Sequence, residues 1–176
     1  PNWGEPDMTI AERVFASNTF EVRAFETGNP QSPANAIPPS AVVFGHLRYV
    51  VGTDINRLMP LLRAHLDKHG FGDITIIGER DPMHATRLDP DHPWAKWAIQ
   101  SLEKTADGEI AVVPNLGGSL PNDVFADLLG LPTIWVPHSY AGCSQHAPNE
   151  HILESISKNA LRLMTGLWWD LGEGNT

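Results

Sequence analysis

"AVVFGHLRYVVGTDINRLMPLLRAHLDKHG", residues 41–70, holds a strand, a turn and a helix in succession, and its reading decides the fold class. In residues 41–51, Val43, Leu47, Tyr49 and Val51 share one face while Phe44, His46 and Arg48 share the other, which is the period-two pattern of a β-strand. Arg48 therefore points away from the more apolar face. Asp54 then offers a helix N-cap, and Ile55, Leu58, Met59, Leu62 and Leu66 fall on one side at helical spacing. Gly70 is placed to end that helix.

Upstream, residues 18–27 alternate Phe20, Val22 and Ala24 with polar neighbours, which predicts a first strand closed by Gly28-Asn29-Pro30. The proline-rich stretch up to Ser40 reads as a loop, and downstream residues 74–77 read as a short apolar strand. Strand, strand, helix, strand is most of a small two-layer α/β unit without its opening strand and helix. From residue 80 to 93 the composition turns to Asp, Pro and His with little periodicity, which suggests a linker and a boundary near Leu88, giving parts 1–87 and 88–176.

In the second part, Trp94, Trp97, Ala98, Ser101 and Leu102 keep helical spacing, and residues 110–113 form a buried-type strand pattern. Ser119 is placed to cap a helix running to Gly130, residues 133–136 predict a further strand, and Ile152, Ile156, Ala160, Leu163, Met164 and Leu167 mark a closing helix. Helix, strand, helix, strand, helix is the end of an α/β sheet with helices on its faces.

The bulk numbers narrow the function. At 176 residues and 41% hydrophobic the chain has enough apolar material for one substantial core or two small ones. A formal charge of -9, with Lys and Arg scattered, argues against nucleic acid as a partner. Apolar runs far shorter than the roughly 20 residues of a membrane span argue against a membrane partner, and the reading is a soluble, cytoplasmic protein. The single cysteine, Cys143, excludes an internal disulfide framework and fits a reducing compartment. The chain opens at Pro1 without an initiator methionine, so it is read as starting inside a longer protein.

Several residues could carry chemistry. "GCSQHAPNEH", residues 142–151, places His146 two residues before Pro148, a residue suited to the first turn of a helix, with Glu150 adding favourable charge there. His146 then lies in a loop after a strand, at the carboxyl end of a sheet where open α/β folds hold ligands, or it merely caps the helix. "NLGGSLP", residues 115–121, puts Gly117, Gly118 and Ser119 between a strand and a helix, where small residues let backbone amides approach an anionic or carbonyl guest; a plain tight turn is the other reading. Cys143 near His138 and His146 admits a Cys/His nucleophile, or a buried inert thiol. His65 and His69 sit at i and i+4 on the first helix, able to chelate a metal or simply to face solvent.

"PNLGGSLPNDVFADLLGLPTIWVP" followed by "HAPNEHI" and a long terminal helix resembles the carboxyl end of the co-catalytic dizinc metallopeptidases, which include acetylornithine deacetylase, succinyl-diaminopimelate desuccinylase, aminoacylase, glutamate carboxypeptidase and the carnosine-type dipeptidases. "ANAIPPSAVVFGHLRYVVGTD" resembles that family's lid, or dimerisation, domain, and the two matches occur in family order. The pairing of "GGSLP" with "HAPNE" looks most like the dipeptidase and carboxypeptidase branch.

The resemblance implies an α/β fold made of a truncated ferredoxin-like lid and the carboxyl-terminal part of the catalytic domain. It implies that His146 is the last zinc ligand, that Arg48 holds the substrate's free carboxylate, that Asn35 contacts the scissile carbonyl oxygen, and that Gly117, Gly118 and Ser119 line the substrate pocket. A planar guanidinium fork suits a carboxylate and an amide donor suits developing oxyanion charge. The cofactor implied is zinc, two ions per intact site, with cobalt or manganese as alternatives; in the family a metal-bridging hydroxide attacks the amide carbon.

Two departures stand out: Asn115-Leu116 occupies the place where many dipeptidase-like members have Arg-Glu, and the family's other zinc ligands, bridging aspartate and general base belong to a half not in this sequence. The expectation is a fragment, inactive alone, of an enzyme cleaving the amide bond of a dipeptide or N-acyl amino acid. Its partners would be that substrate, the missing amino-terminal half, and a second copy through the lid. A non-catalytic dimerisation or peptide-binding module and a Cys/His hydrolase are the alternatives.

Overall fold

The computed structural model describes residues 3–77, 82–113 and 115–174, and its contacts divide the chain into two compact units, Pro1–Ala85 and Thr86–Thr176. The front unit opens with a short helix that the pattern reading above does not contain, α1 (Ile10–Phe15). Its cause is local: Thr9 Oγ1 accepts from the Glu12 amide at 3.2 Å while the Glu12 carboxylate accepts from the Thr9 amide at 2.7 Å, a reciprocal capping box. These Thr9 hydrogen bonds hold the Glu12 carboxyl below its ordinary pKa.

Strands β1 (Thr19–Thr27) and β2 (Ala41–Arg48) pair antiparallel, from Thr19 opposite Arg48 to Thr27 opposite Ala41. The register shifts between Val22 and Ala24, so Arg23 is an extra, bulged residue. The bulge corrects the expected alternation. Cross-strand partners share a face, and Phe20, Val22 and Phe25 pair with Leu47, Gly45 and Val43, so Phe25 takes the apolar position that strict alternation assigns to Ala24. The opposite face carries Thr19, Glu21 and Glu26 with Arg48, His46 and Val42. The Phe20 ring lies over Gly45, where a methyl group would collide with it.

After β2, Asn18 Oδ1 accepts from the Val50 amide at 2.8 Å and the Thr53 hydroxyl at 3.2 Å, fixing the turn at Gly52. Asp54 Oδ1 accepts from the Asn56 amide, as the sequence predicts for a cap, but the cap starts a single 3-10 turn (Ile55–Arg57) that leads into α2 (Leu58–Lys68). Gly70, at φ 82°, ends it: the Phe71 amide reaches Leu66 O and the Gly70 amide reaches Asp67 O, the Schellman pattern.

Residues 74–77 are not a strand, contrary to the expectation. Instead, Arg63 donates to Ile74 O and Phe71 O and pairs with Asp67, tying this segment back to the helix. The helix also does not cover the sheet. Among the described residues α2 packs on its own 3-10 lead-in and not on the strands, and none of its residues is buried. With no helix over it, the sheet leaves Phe20, Val22 and Phe25 more than half exposed.

The rear unit is built on α3 (Pro93–Thr105) packed against α4 (Glu154–Gly172). Pro93 opens α3 at its first position and the His92 ring accepts from the Trp94 amide, so Pro and cap cooperate as they should at a helix start. Ala98, Ser101 and Leu102 form its buried stripe. Gly166 of α4 lies against Thr105 so closely that a methyl there would collide, which lets the helices approach. Lys104 pairs with the nearly buried Asp170 at 2.9 Å, and this hydrogen bond holds the Asp170 carboxyl below its ordinary pKa. Arg162 pairs with Asp107.

Other expectations for this unit need correction. Residues 110–113 and 133–136 are not strands, and Ser119 caps no helix; the only helical stretch between Gly118 and Gly130, among the described residues, is a short one ending in a π-helical turn (Val124–Leu128). Strand conformation needs a hydrogen-bonding neighbour, and among the described residues these segments pair with none. Nor does Pro148 open the closing helix. It sits in a turn, and α4 begins at Glu154. No helix among the described residues is long and apolar enough to cross a membrane.

Candidate functional site

The loop carrying His146 gathers three of the four non-glycine residues with positive φ among the described residues. Ser144, His146 and Asn149 all take left-handed conformations, at φ 58°, 61° and 63°. For residues with a Cβ each such conformation costs on the order of 1–3 kcal/mol and persists only where surrounding bonds over-determine it.

Those bonds are present. Glu150 Oε2 accepts from the His146 amide at 3.1 Å, the His151 amide donates to Cys143 O at 3.0 Å, and the Ala147 amide donates to Ser144 O at 2.9 Å. The His151 ring adds a second tie. Its Nδ1 lies 2.7 Å from Asn149 O, which can only accept, so Nδ1 carries the proton. Its Nε2 then accepts from the Tyr140 hydroxyl at 2.6 Å. Sequence reasoning passed over Tyr140 and His151, because nothing in their spacing announces this clasp.

Within this clasp His146 itself is exposed. The nearest acidic residue in sequence, Glu150, is turned to the His146 main chain. Among the described residues no group of three or more His, Cys, Asp or Glu side chains stands where one metal ion could be shared. A catalytic zinc takes about three protein ligands, so the residues present do not by themselves fit a dizinc centre. They supply one exposed imidazole on a hydrogen-bonded loop.

Cys143 is buried, and its sulfur lies 3.3 Å from the Ser139 hydroxyl. That hydroxyl, then the backbone amides of Gln145 and Tyr140, lower its thiol pKa against the opposing effects of burial and of Glu150. Yet the His151 ring is engaged by Tyr140 and Asn149, and among the described residues no imidazole bonds the sulfur. A Cys/His dyad is not assembled.

Gly117, Gly118 and Ser119 are exposed, with the Gly118 amide donating to Leu116 O at 2.9 Å. The Trp135 ring packs at Gly118, and its indole N–H donates to Asn122 Oδ1 at 3.2 Å, while Asn122 Nδ2 donates to the Thr86 hydroxyl at 2.6 Å. The glycine loop is thereby held by the segment "TIWV" even though that segment is not a strand. In the front unit, Asn35 is exposed in the loop at one end of the hairpin, and Arg48, half-buried, closes the other end of β2 opposite Thr19.

With this geometry in view, one solved structure is informative. The chain is similar to the M20 family metallo-carboxypeptidase Sso-CP2 from Sulfolobus solfataricus, with a TM-score of 0.72 and 26% identity over 94% of this chain. It spans 39% of the length of that enzyme. No protein-family profile matches the chain, and no curated protein matches it in sequence. The structural likeness supports the M20 metallopeptidase superfamily.

Proposed function

We propose that this chain is the carboxyl-terminal portion of an M20-type metallopeptidase that cleaves the amide bond of a dipeptide or N-acyl amino acid bearing a free carboxylate. The observation that carries the proposal is the likeness to a metallo-carboxypeptidase across 94% of this chain but only 39% of that one. The surface supports it. The chain exposes 13908 Å², against roughly 8500 Å² for a compact protein of 19.3 kDa and about 10 200 Å² for two separate halves. Among the described residues, Ala98, Leu102 and Cys143 are the buried apolar side chains. A sequence that is 41% hydrophobic but buries so little has apolar faces made for further structure.

On this reading His146 contributes one imidazole to a zinc site whose other donors lie upstream. Arg48 receives the substrate carboxylate, Asn35 the scissile carbonyl oxygen, and Gly117, Gly118 and Ser119 line the pocket. The chain alone is inactive, because it brings neither the general base nor enough ligands. The front unit is the lid, and its bare apolar sheet face serves the body of the lid and a second copy of the enzyme.

The test is to join the chain to its upstream coding sequence and count zinc. The expected result is two ions in the parent, fewer with His146→Ala, and turnover lost. Two ions and full turnover in His146→Ala would remove the residue from the site. An upstream sequence without a His-x-Asp motif and a Glu-Glu pair would remove the hydrolase reading altogether.

A further inference from the structure

We propose that His65 and His69 form a surface site for a divalent transition-metal ion at the carboxyl end of α2. The two residues are one helical turn apart, so their side chains emerge from the same face. The structure adds what spacing alone leaves open: both residues are exposed, and their ring centres stand 4.5 Å apart at an angle of 43°. Two imidazoles that share one ion at about 2.0–2.1 Å from each nitrogen bring their ring centres to roughly 5 Å. The observed ring spacing is thus compatible with one ion shared between the two side chains.

Two further features favour a cation here. The α2 helix ends at Lys68 with His69 as its C-cap, so the pair sits over the last turn, where the aligned peptide dipoles present partial negative charge. The acidic neighbour Asp67 does not compete for the ion, since it is paired with Arg63 at 2.7 Å. Nitrogen donors select copper, nickel and zinc over magnesium and calcium, and open positions around the ion are left to water. The ligand class is thus a hydrated first-row divalent ion held by two nitrogens.

The experiment is a calorimetric titration of the 176-residue chain with copper, nickel, zinc and magnesium chlorides, on the parent and on His65→Asn, His69→Asn and His146→Asn. The result expected is one saturable equivalent in the parent, strongest for copper and absent for magnesium. It is lost in either α2 variant and kept in His146→Asn, with helical circular dichroism unchanged in all three. Retention of that equivalent in His65→Asn or His69→Asn, its loss in His146→Asn, or no saturable binding by the parent overturns the proposal. Because the control variant alters the residue on which the hydrolase reading depends, failure of one proposal is distinguishable from failure of the other.

Discussion

The β1–β2 hairpin and the segments 110–113 and 133–136 are made of similar residues, yet the first is a registered ladder and the others are not strands. The difference lies in where each finds its hydrogen-bonding neighbour. An antiparallel partner can follow directly in the chain, and here β2 arrives after a single loop. Strands of a parallel sheet need partners supplied by crossovers, and a segment cut off from them keeps its apolar side chains but loses its ladder. Strand propensity thus describes fitness for a sheet and does not create one.

The sharpest way to break this comparison is to supply the missing neighbours. On the proposed fragment reading, joining the chain to its upstream coding sequence should protect residues 110–113 and 133–136, their amide exchange slowing by at least about 10³-fold, or about 4 kcal/mol, while the paired amides of β1 and β2 change far less. Hydrogen-exchange mass spectrometry of the long and short proteins measures this, and equal exchange would mean that these segments are loops in their own right.

A smaller effect separates the two units. Leu102→Ala removes a buried side chain between α3 and α4 and should cost about 2–4 kcal/mol in chemical denaturation of the rear unit, with the exchange of β1 and β2 unaffected. Smaller still is Gly45→Ala, which drives a methyl into the Phe20 ring and should cost about 1–3 kcal/mol in the front unit only. Combining it with Phe20→Ala should cost less than the sum of the two single changes, because the collision is then gone.

What was legible in the sequence follows the same division. The helices α2, α3 and α4 were readable because their apolar stripes, Asp54 at the lead-in to α2, and Gly70 at its end act within a few residues. The α1 helix was missed, although its signals, the Thr9–Glu12 capping box with Ile10 and Val14 one turn apart, are local. The bulge at Arg23 was not readable, since it is a property of two strands together. Pro148 misled because proline suits a tight turn as well as a helix start, and the turn prevailed. At the candidate site His146 was visible as part of a motif. Its left-handed backbone was hidden, because a histidine gives no such signal as a glycine would.

The bulge at Arg23 also marks where this hairpin can change length. Elsewhere along β1, losing one residue would turn every later side chain over and exchange the oily face for the wet one. At Arg23 the loss would leave Val22 beside Gly45 and Ala24 beside Phe44, with Phe25 still beside Val43. Related sequences could therefore differ by a single residue at this position and still share the same two faces, a freedom that a gap-averse sequence comparison would miss.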